Sequence, residues 1–167
     1  MDFTVKEGMN FLVAIDANSK WPQIIPMKST TATATVVVVR DMFARFGLPA
    51  QVVTDNGPQF DSAEFEEFLR QNGVKHIRLA PYHPANNGAA ERMVQSFKRS
   101  LAASSGGNAP MRQRLADFLL RYRTTPHSAT GRTPASLFLG RECRTRLSSL
   151  RPDVETTVTN RQAGQVT

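Results

Sequence analysis

A single cysteine, Cys143, stands among 167 residues, so an internal disulfide framework and a cysteine-rich zinc site are both excluded. Histidine is scarce as well: His76, His83 and His127 are scattered and share no metal-ligand spacing with that cysteine. No apolar run approaches the roughly 20 residues that span a bilayer, and Met1 to Glu7 lacks the charged-then-apolar pattern of a signal sequence. These absences predict a soluble intracellular protein with no membrane partner, and no targeting motif chooses between cytosol and nucleus. Acidic residues are in deficit. Fourteen Asp plus Glu face 21 Lys plus Arg, for a net charge of +7. Such an excess makes a polyanion the expected partner, nucleic acid before an anionic membrane. At 40% hydrophobic residues, with 10 Gly and 10 Pro, the chain is neither disordered, collagen-like nor a coiled coil. Its length suits one compact domain or a large fragment of one.

What is present reads first as strands. Phe11 to Ile15 is a short apolar run closed by Asp16 and the turn-prone Ala17-Asn18-Ser19-Lys20. Trp21 to Met27 follows, and its two prolines suit a sheet edge or strand ends. Thr30 to Phe46 is ambiguous: four successive valines favour a strand, whereas Val36, Val39, Phe43 and Phe46 keep helical spacing and Gly47 supplies a stop. Helix is the preferred reading. Pro49 to Val53 is a buried-strand pattern, Asp61 reads as the N-cap of a helix carrying Phe65, Phe68 and Leu69, and Val74 to Leu79 is another strand. Ala80 to Gly88 is a loop, Ala89 to Ala103 a helix with Met93, Val94, Phe97 and Leu101 on one face, and Leu115 to Tyr122 marks a further helix. Thr133-Pro134 opens a short helix that Gly140 ends. The order predicts an α/β domain with a mixed sheet over residues 1–142, followed by a polar tail over 143–167.

The sharpest chemical feature is carboxylates at element ends. Asp55 follows a strand and precedes Asn56-Gly57, which suits a ligand or a metal, although an aspartate that merely caps a turn is common. Glu91 lies in the first turn of a helix, where the helix dipole alone favours it by roughly 0.3–1 kcal/mol. Thirty-five residues separate the two, and they hold one helix, one strand and one loop, a crossover that returns the chain beside its starting strand.

Val53-Thr54-Asp55-Asn56-Gly57-Pro58-Gln59-Phe60, with His83-Pro84 and Asn87-Gly88-Ala89-Ala90-Glu91-Arg92, resembles the catalytic core of retroviral and Gypsy-class retrotransposon integrases. Asp16 to Pro22 and Tyr122 to Gly131 extend the likeness over about residues 2 to 142. The resemblance implies a ribonuclease H-like fold with about five strands flanked by helices, and an Asp, Asp-35-Glu triad. The family's first aspartate sits in an Asp-Phe context about fifty residues before the second. Asp2-Phe3, 53 positions before Asp55, fits that pattern, whereas Asp16, 39 positions before, falls at the polar end of the following strand. The implied metal ligands and catalytic residues are therefore Asp2, Asp55 and Glu91, with Asp16 the alternative first ligand.

Three carboxylates suit two Mg²⁺ or Mn²⁺ ions, which activate an attacking hydroxyl and stabilise a leaving oxygen without an organic cofactor. By the family pattern Asn87, Gln95 and Lys98 contact DNA; a plain turn at Asn87 and a solvated face at Lys98 are the alternatives. Arg112, Arg114, Arg121, Arg123 and Arg132 offer further positive charge. The expected activity is polynucleotidyl transfer, 3′-end processing and joining of retroelement DNA into target DNA. A homodimer or higher oligomer and a nuclear location are implied by the same resemblance.

Three departures are visible. Met1 directly precedes Asp2, which predicts a shortened first strand; Thr4-Val5-Lys6 replaces the usual Gly-Pro; and neither an amino-terminal zinc module nor a full carboxy-terminal DNA-binding module accompanies the core. They leave open a catalytically inactive fragment or a co-opted DNA-binding domain. A ribonuclease H proper fits less well, because it would end its acidic set with an aspartate where this chain has Glu91.

Overall fold

The computed structural model describes residues 1–79, 88–104, 108–146 and 148. Its elements are β1 (Asp2–Lys6), β2 (Met9–Ile15), β3 (Pro22–Met27), α1 (Ala32–Phe46), β4 (Gln51–Thr54), α2 (Ala63–Gln71), β5 (Lys75–Arg78), α3 (Gly88–Ala103), α4 (Met111–Thr124) and α5 (Pro134–Leu139). The polar tail predicted after Cys143 lies almost wholly outside the described residues, as do residues 80–87 of the predicted loop.

β1, β2 and β3 form an antiparallel meander in that order, and β4 pairs with β5 in parallel. The β1–β2 connection is two residues long, with Glu7 at φ 52° and Gly8 at φ 75°. Positive φ at both central positions defines the tight turn whose twist matches the flanking strands. A glutamate in that conformation is unusual, and Arg114 of α4 holds its carboxylate with two 3.0 Å hydrogen bonds. The two ladders meet where the Met1 amino group donates to the Val53 carbonyl of β4. β3 is an edge of its ladder, which accommodates Pro22 and Pro26.

Side-chain alternation divides the core between the two sheet faces. Leu12 and Met27 pack with Val36 and Val39 of α1, Val52 of β4, and Phe65, Phe68 and Leu69 of α2. Phe11, Val13 and Ile24 pack on the other face against Met93, Val94, Phe97 and Leu101 of α3 and Leu115 and Phe118 of α4. The β1–β3 sheet is thus covered on both faces, which is the economical way to bury them.

The valine run resolves as helix. The Thr31 hydroxyl caps α1 by accepting from the Ala34 N–H at 3.3 Å, and Gly47 at φ 84° ends it. Val36 and Val39 then share a buried face, which outweighs the weak helix preference of β-branched residues. One cap differs from expectation. Ser62, not Asp61, caps α2, accepting from the Phe65 N–H at 3.2 Å. The Gly57 carbonyl accepts from both Phe60 and Asp61, so the preceding turn runs one residue further and Asp61 is left to pair with Arg78. Thr133 caps α5 and Gly140 closes it in the left-handed conformation, as the sequence predicts.

Candidate active site

Asp2 begins β1 opposite Val13, and Thr4 lies opposite Phe11. Val13 and Phe11 belong to the face that α3 covers, so Asp2 and Thr4 lie on that face while Phe3 packs into the α1–α2 side against Phe60. The direction of α3 follows from its far end. Arg114 binds both Glu7, in the β1–β2 turn, and the Leu101 carbonyl. The last turns of α3 therefore sit over that turn, and its first turn lies at the opposite end, where β1 begins.

Asp55 leaves the end of β4 toward the same place. The Met1 amino group, hydrogen-bonded to Val53, feels the carboxylates of both Asp2 and Asp55. Burial pushes that amino group down to about 6 despite the two carboxylates, which pull it upward. Both carboxylates therefore act on the Met1 amino group, which is bonded to the strand that ends at Asp55.

The Asp55 turn is held on three sides. The Gly57 N–H donates to Asp55 Oδ1 at 3.3 Å, and a methyl group at Gly57 would sit 3.3 Å from the same oxygen and 2.4 Å from Gln59 Nε2. Phe60, fully buried, donates its N–H to the Gly57 carbonyl at 2.9 Å and anchors the turn in the core. Just before Asp55, the buried Thr54 hydroxyl and His76 Nε2 of β5 are 2.9 Å apart, fixing the end of β4 to its neighbour. Burial holds the His76 imidazole below its ordinary range, with the nearby amino terminus acting in the same sense and Asp61 opposing it.

Glu91 lies in the first turn of α3, and its side chain is outside the described residues; so is all of Asn87. Gln95 and Lys98 are exposed on α3, away from the buried stripe of Met93, Val94, Phe97 and Leu101. Among the described residues, no three of His, Cys, Asp and Glu are assembled in a way that could hold a metal ion. Asp16 serves the turn after β2, where its Oδ2 accepts from the Ser19 N–H at 2.7 Å and the Ser19 hydroxyl at 2.6 Å.

Two of the five arginines that add positive charge have structural partners. Arg123 lies 4.1 Å over the Trp21 ring and donates to the Pro22 carbonyl at 2.9 Å; Trp21 in turn stacks on Phe138 at 5.1 Å. Arg114 is committed to Glu7 and the end of α3. Arg112, Arg121 and Arg132 are exposed. The Trp21–Arg123 contact joins two segments a hundred residues apart in the sequence. Nothing in the sequence hints at the Thr54–His76 pair, because neither residue type nor spacing marks a contact between parallel strands.

Two integrase core domain family models match the chain, one over residues 1–84 and one over residues 72–134. The chain belongs to the integrase core domain family. It is 38% identical over 146 residues to an uncharacterized protein of Caenorhabditis elegans, covering 87% of this chain and 12% of that protein. It is 33% identical over 152 residues to the Gag-Pol polyprotein of walleye dermal sarcoma virus, covering 89% of this chain and 9% of the polyprotein. The chain thus spans about a tenth of the length of these relatives. Its fold matches the catalytic core domain of BIV integrase with a TM-score of 0.71 at 24% identity, over 84% of this chain and 91% of that one. It also matches the HTLV-2 integrase catalytic core, solved in complex with magnesium, with a TM-score of 0.65 at 21% identity, over 81% and 90%. The fold is a ribonuclease H-like integrase core, as expected, although its strands form a three-stranded antiparallel sheet and a two-stranded parallel sheet in place of one mixed sheet of about five strands. No helix among the described residues is long and apolar enough to cross a membrane.

Proposed function

We propose that this chain is the catalytic core of a polynucleotidyl transferase that performs 3′-end processing and strand transfer of retroelement DNA into target DNA. The observation that supports the reading is the hydrogen bond from the Met1 amino group, next to Asp2, to Val53 of the strand that ends at Asp55, with the first turn of α3, which contains Glu91, at the same end of β1. Carboxylate oxygens are hard donors and fit a hard divalent cation. Asp2, Asp55 and Glu91 would hold two Mg²⁺ or Mn²⁺ ions, which supply activation of the attacking hydroxyl and stabilisation of the leaving oxygen. The chain's own residues do the rest. The Gly57 N–H and the anchored Phe60 orient Asp55, Thr54 and His76 fix the strand end that carries it, and the exposed Gln95 and Lys98 meet the DNA backbone. Asn87, which precedes α3 in the sequence, contacts the DNA end. No organic cofactor takes part. The working assembly is a homodimer or larger, acting in the nucleus.

The test is DNA joining on a branched substrate with Mg²⁺ or Mn²⁺, compared with EDTA and with Glu91→Gln. Joining that needs the metal and is lost in the folded variant supports the reading. A folded chain that binds DNA in a salt-sensitive way yet joins nothing, with or without metal, would replace it with a non-catalytic DNA-binding domain.

A further inference from the structure

A cleft of about 460 Å³ opens beside the start of α3, between the turn after β2 and the segment that joins α4 to α5. Its polar lining includes Lys20, Arg92, Ser96, Tyr122, His127 and Ser128, with no acid among the described residues that line it. Three groups able to carry positive charge converge there. His127 feels both Lys20 and Arg92, and Tyr122 feels Arg92.

The donors are held in place before any ligand arrives. His127 Nδ1 accepts from the Ala129 N–H at 3.1 Å, so in the neutral ring the proton sits on Nε2 and is available to donate. The loop that bears it is closed by hydrogen bonds from Thr130 and Gly131 to the His127 carbonyl, at 3.1 and 2.8 Å, and from the His127 N–H to the Arg132 carbonyl at 2.9 Å. Lys20 is kept at φ 63° by its N–H bond to the Asp16 carbonyl, 2.9 Å, and its ammonium reaches the Ala17 carbonyl. A cleft whose described lining offers several fixed donors and hydroxyls suits an oxyanion.

The surface around it indicates which oxyanion. The exposed side chains of α3 from Arg92 to Arg99 are Arg92, Gln95, Ser96, Lys98 and Arg99, a continuous basic and polar crest with no acid in it. Helical spacing puts Arg92 and Ser96, which line the cleft, on one flank of that crest, and Lys98 on the other. An isolated small anion would need only the cleft. A basic crest continuing out of it suits a polyanion with regularly spaced charges.

We propose that the cleft seats a backbone phosphate of DNA, a second contact point across α3 from the Lys98 edge. The inference rests on the reading of the chain as a DNA-joining core and adds a site to it.

The test is binding of a fluorescein-labelled branched DNA by the full chain, in EDTA, over a salt series. Four proteins are compared: wild type, Lys98→Ala, the double variant Lys20→Asn with Arg92→Gln, and Ser96→Glu, each checked for folding by circular dichroism. Asn tolerates the left-handed backbone at position 20. Neutralising one phosphate contact corresponds to about 0.9 in the slope of log affinity against log salt. The double variant is expected to lose about that much slope, and Ser96→Glu to weaken binding with the fold intact. A double variant whose slope equals wild type, while Lys98→Ala lowers it, overturns the cleft and leaves the joining core standing. A folded wild type that binds DNA without salt dependence overturns both. A second arm follows the His127 imidazole by NMR. DNA is expected to raise its pKa, and inorganic phosphate at the same phosphate concentration to leave it unchanged. An equal rise with inorganic phosphate would make the cleft a small-anion site and refute the assignment to DNA.

Discussion

Thr54→Val tests how the strand end that carries Asp55 is held. The two side chains have the same branched shape and differ in the hydroxyl at a fully buried position. What disappears is the 2.9 Å contact with His76 Nε2. His76 Nδ1 has no hydrogen-bond partner among the described residues, so the variant leaves a half-buried imidazole with neither nitrogen satisfied inside the protein. An orphaned buried polar group costs about 1–3 kcal/mol. For a chain of this size each kcal/mol lowers the melting temperature by about 2–4 °C, so a drop of roughly 2–12 °C is expected. Thermal unfolding followed by circular dichroism measures it, and urea unfolding should show a lower midpoint at unchanged slope. Adding Val or Phe at position 76 to the variant should recover part of the loss, because both partners are then apolar. If Thr54→Val melts with the wild type, the Thr54–His76 contact does not hold β4 to β5 and the support argued for Asp55 falls.

Other expectations follow from the same contacts. Burial depresses the imidazoles of His76 and His127, so the folded chain prefers both neutral. Their contribution is complete above the ordinary histidine value of about 6.5 and is lost as pH falls through the lowered folded values; urea titrations from pH 8 to below 6 should show declining stability, and a flat profile would contradict it. Arg123→Met removes the cation over Trp21 and the donor to the Pro22 carbonyl, for a loss of about 1–3 kcal/mol in urea unfolding; an unchanged midpoint would return Arg123 to the pool of DNA-facing charges. Gly57→Ala should leave the melting temperature within a few degrees, since the closest atom is the end of the flexible Gln59 side chain, yet slow DNA joining, since the new methyl meets the Asp55 carboxylate. Joining at the wild-type rate would show that this turn does not set the position of Asp55.

Much of this arrangement is legible in the residues. The strand-ending Asp55, the helix that follows Gly88 and the caps at Thr133 and Gly140 each carry a local signal, and the structure has the corresponding elements. The valine run of α1 is settled only by its surroundings, because propensity and periodicity point in opposite directions there. Asp61 reads as a cap because aspartate and serine are about equally good in that position. The choice of Ser62 depends on how far the Gly57 turn continues, which is a backbone property. The cleft is hidden from the sequence for a different reason. Lys20, Arg92 and His127 come from three distant segments, and only the packing of α3 against β2 and α4 brings them together. Likewise, charge counts do not say which arginines face solvent. Arg114 and Arg123 look like their neighbours in sequence and are distinguished only by the Glu7 turn and the Trp21 ring.

The central claim is that Asp2, Asp55 and Glu91, and not Asp16, form the acidic set. The most direct measurement is the metal-dependent joining rate of four folded variants, Asp2→Asn, Asp55→Asn, Glu91→Gln and Asp16→Asn, on one branched DNA. Asp16 is engaged with Ser19 in a local turn, so Asp16→Asn should join DNA near the wild-type rate while the other three fall to background. An active Asp2→Asn beside a dead Asp16→Asn would contradict the claim and move the first ligand to the end of β2.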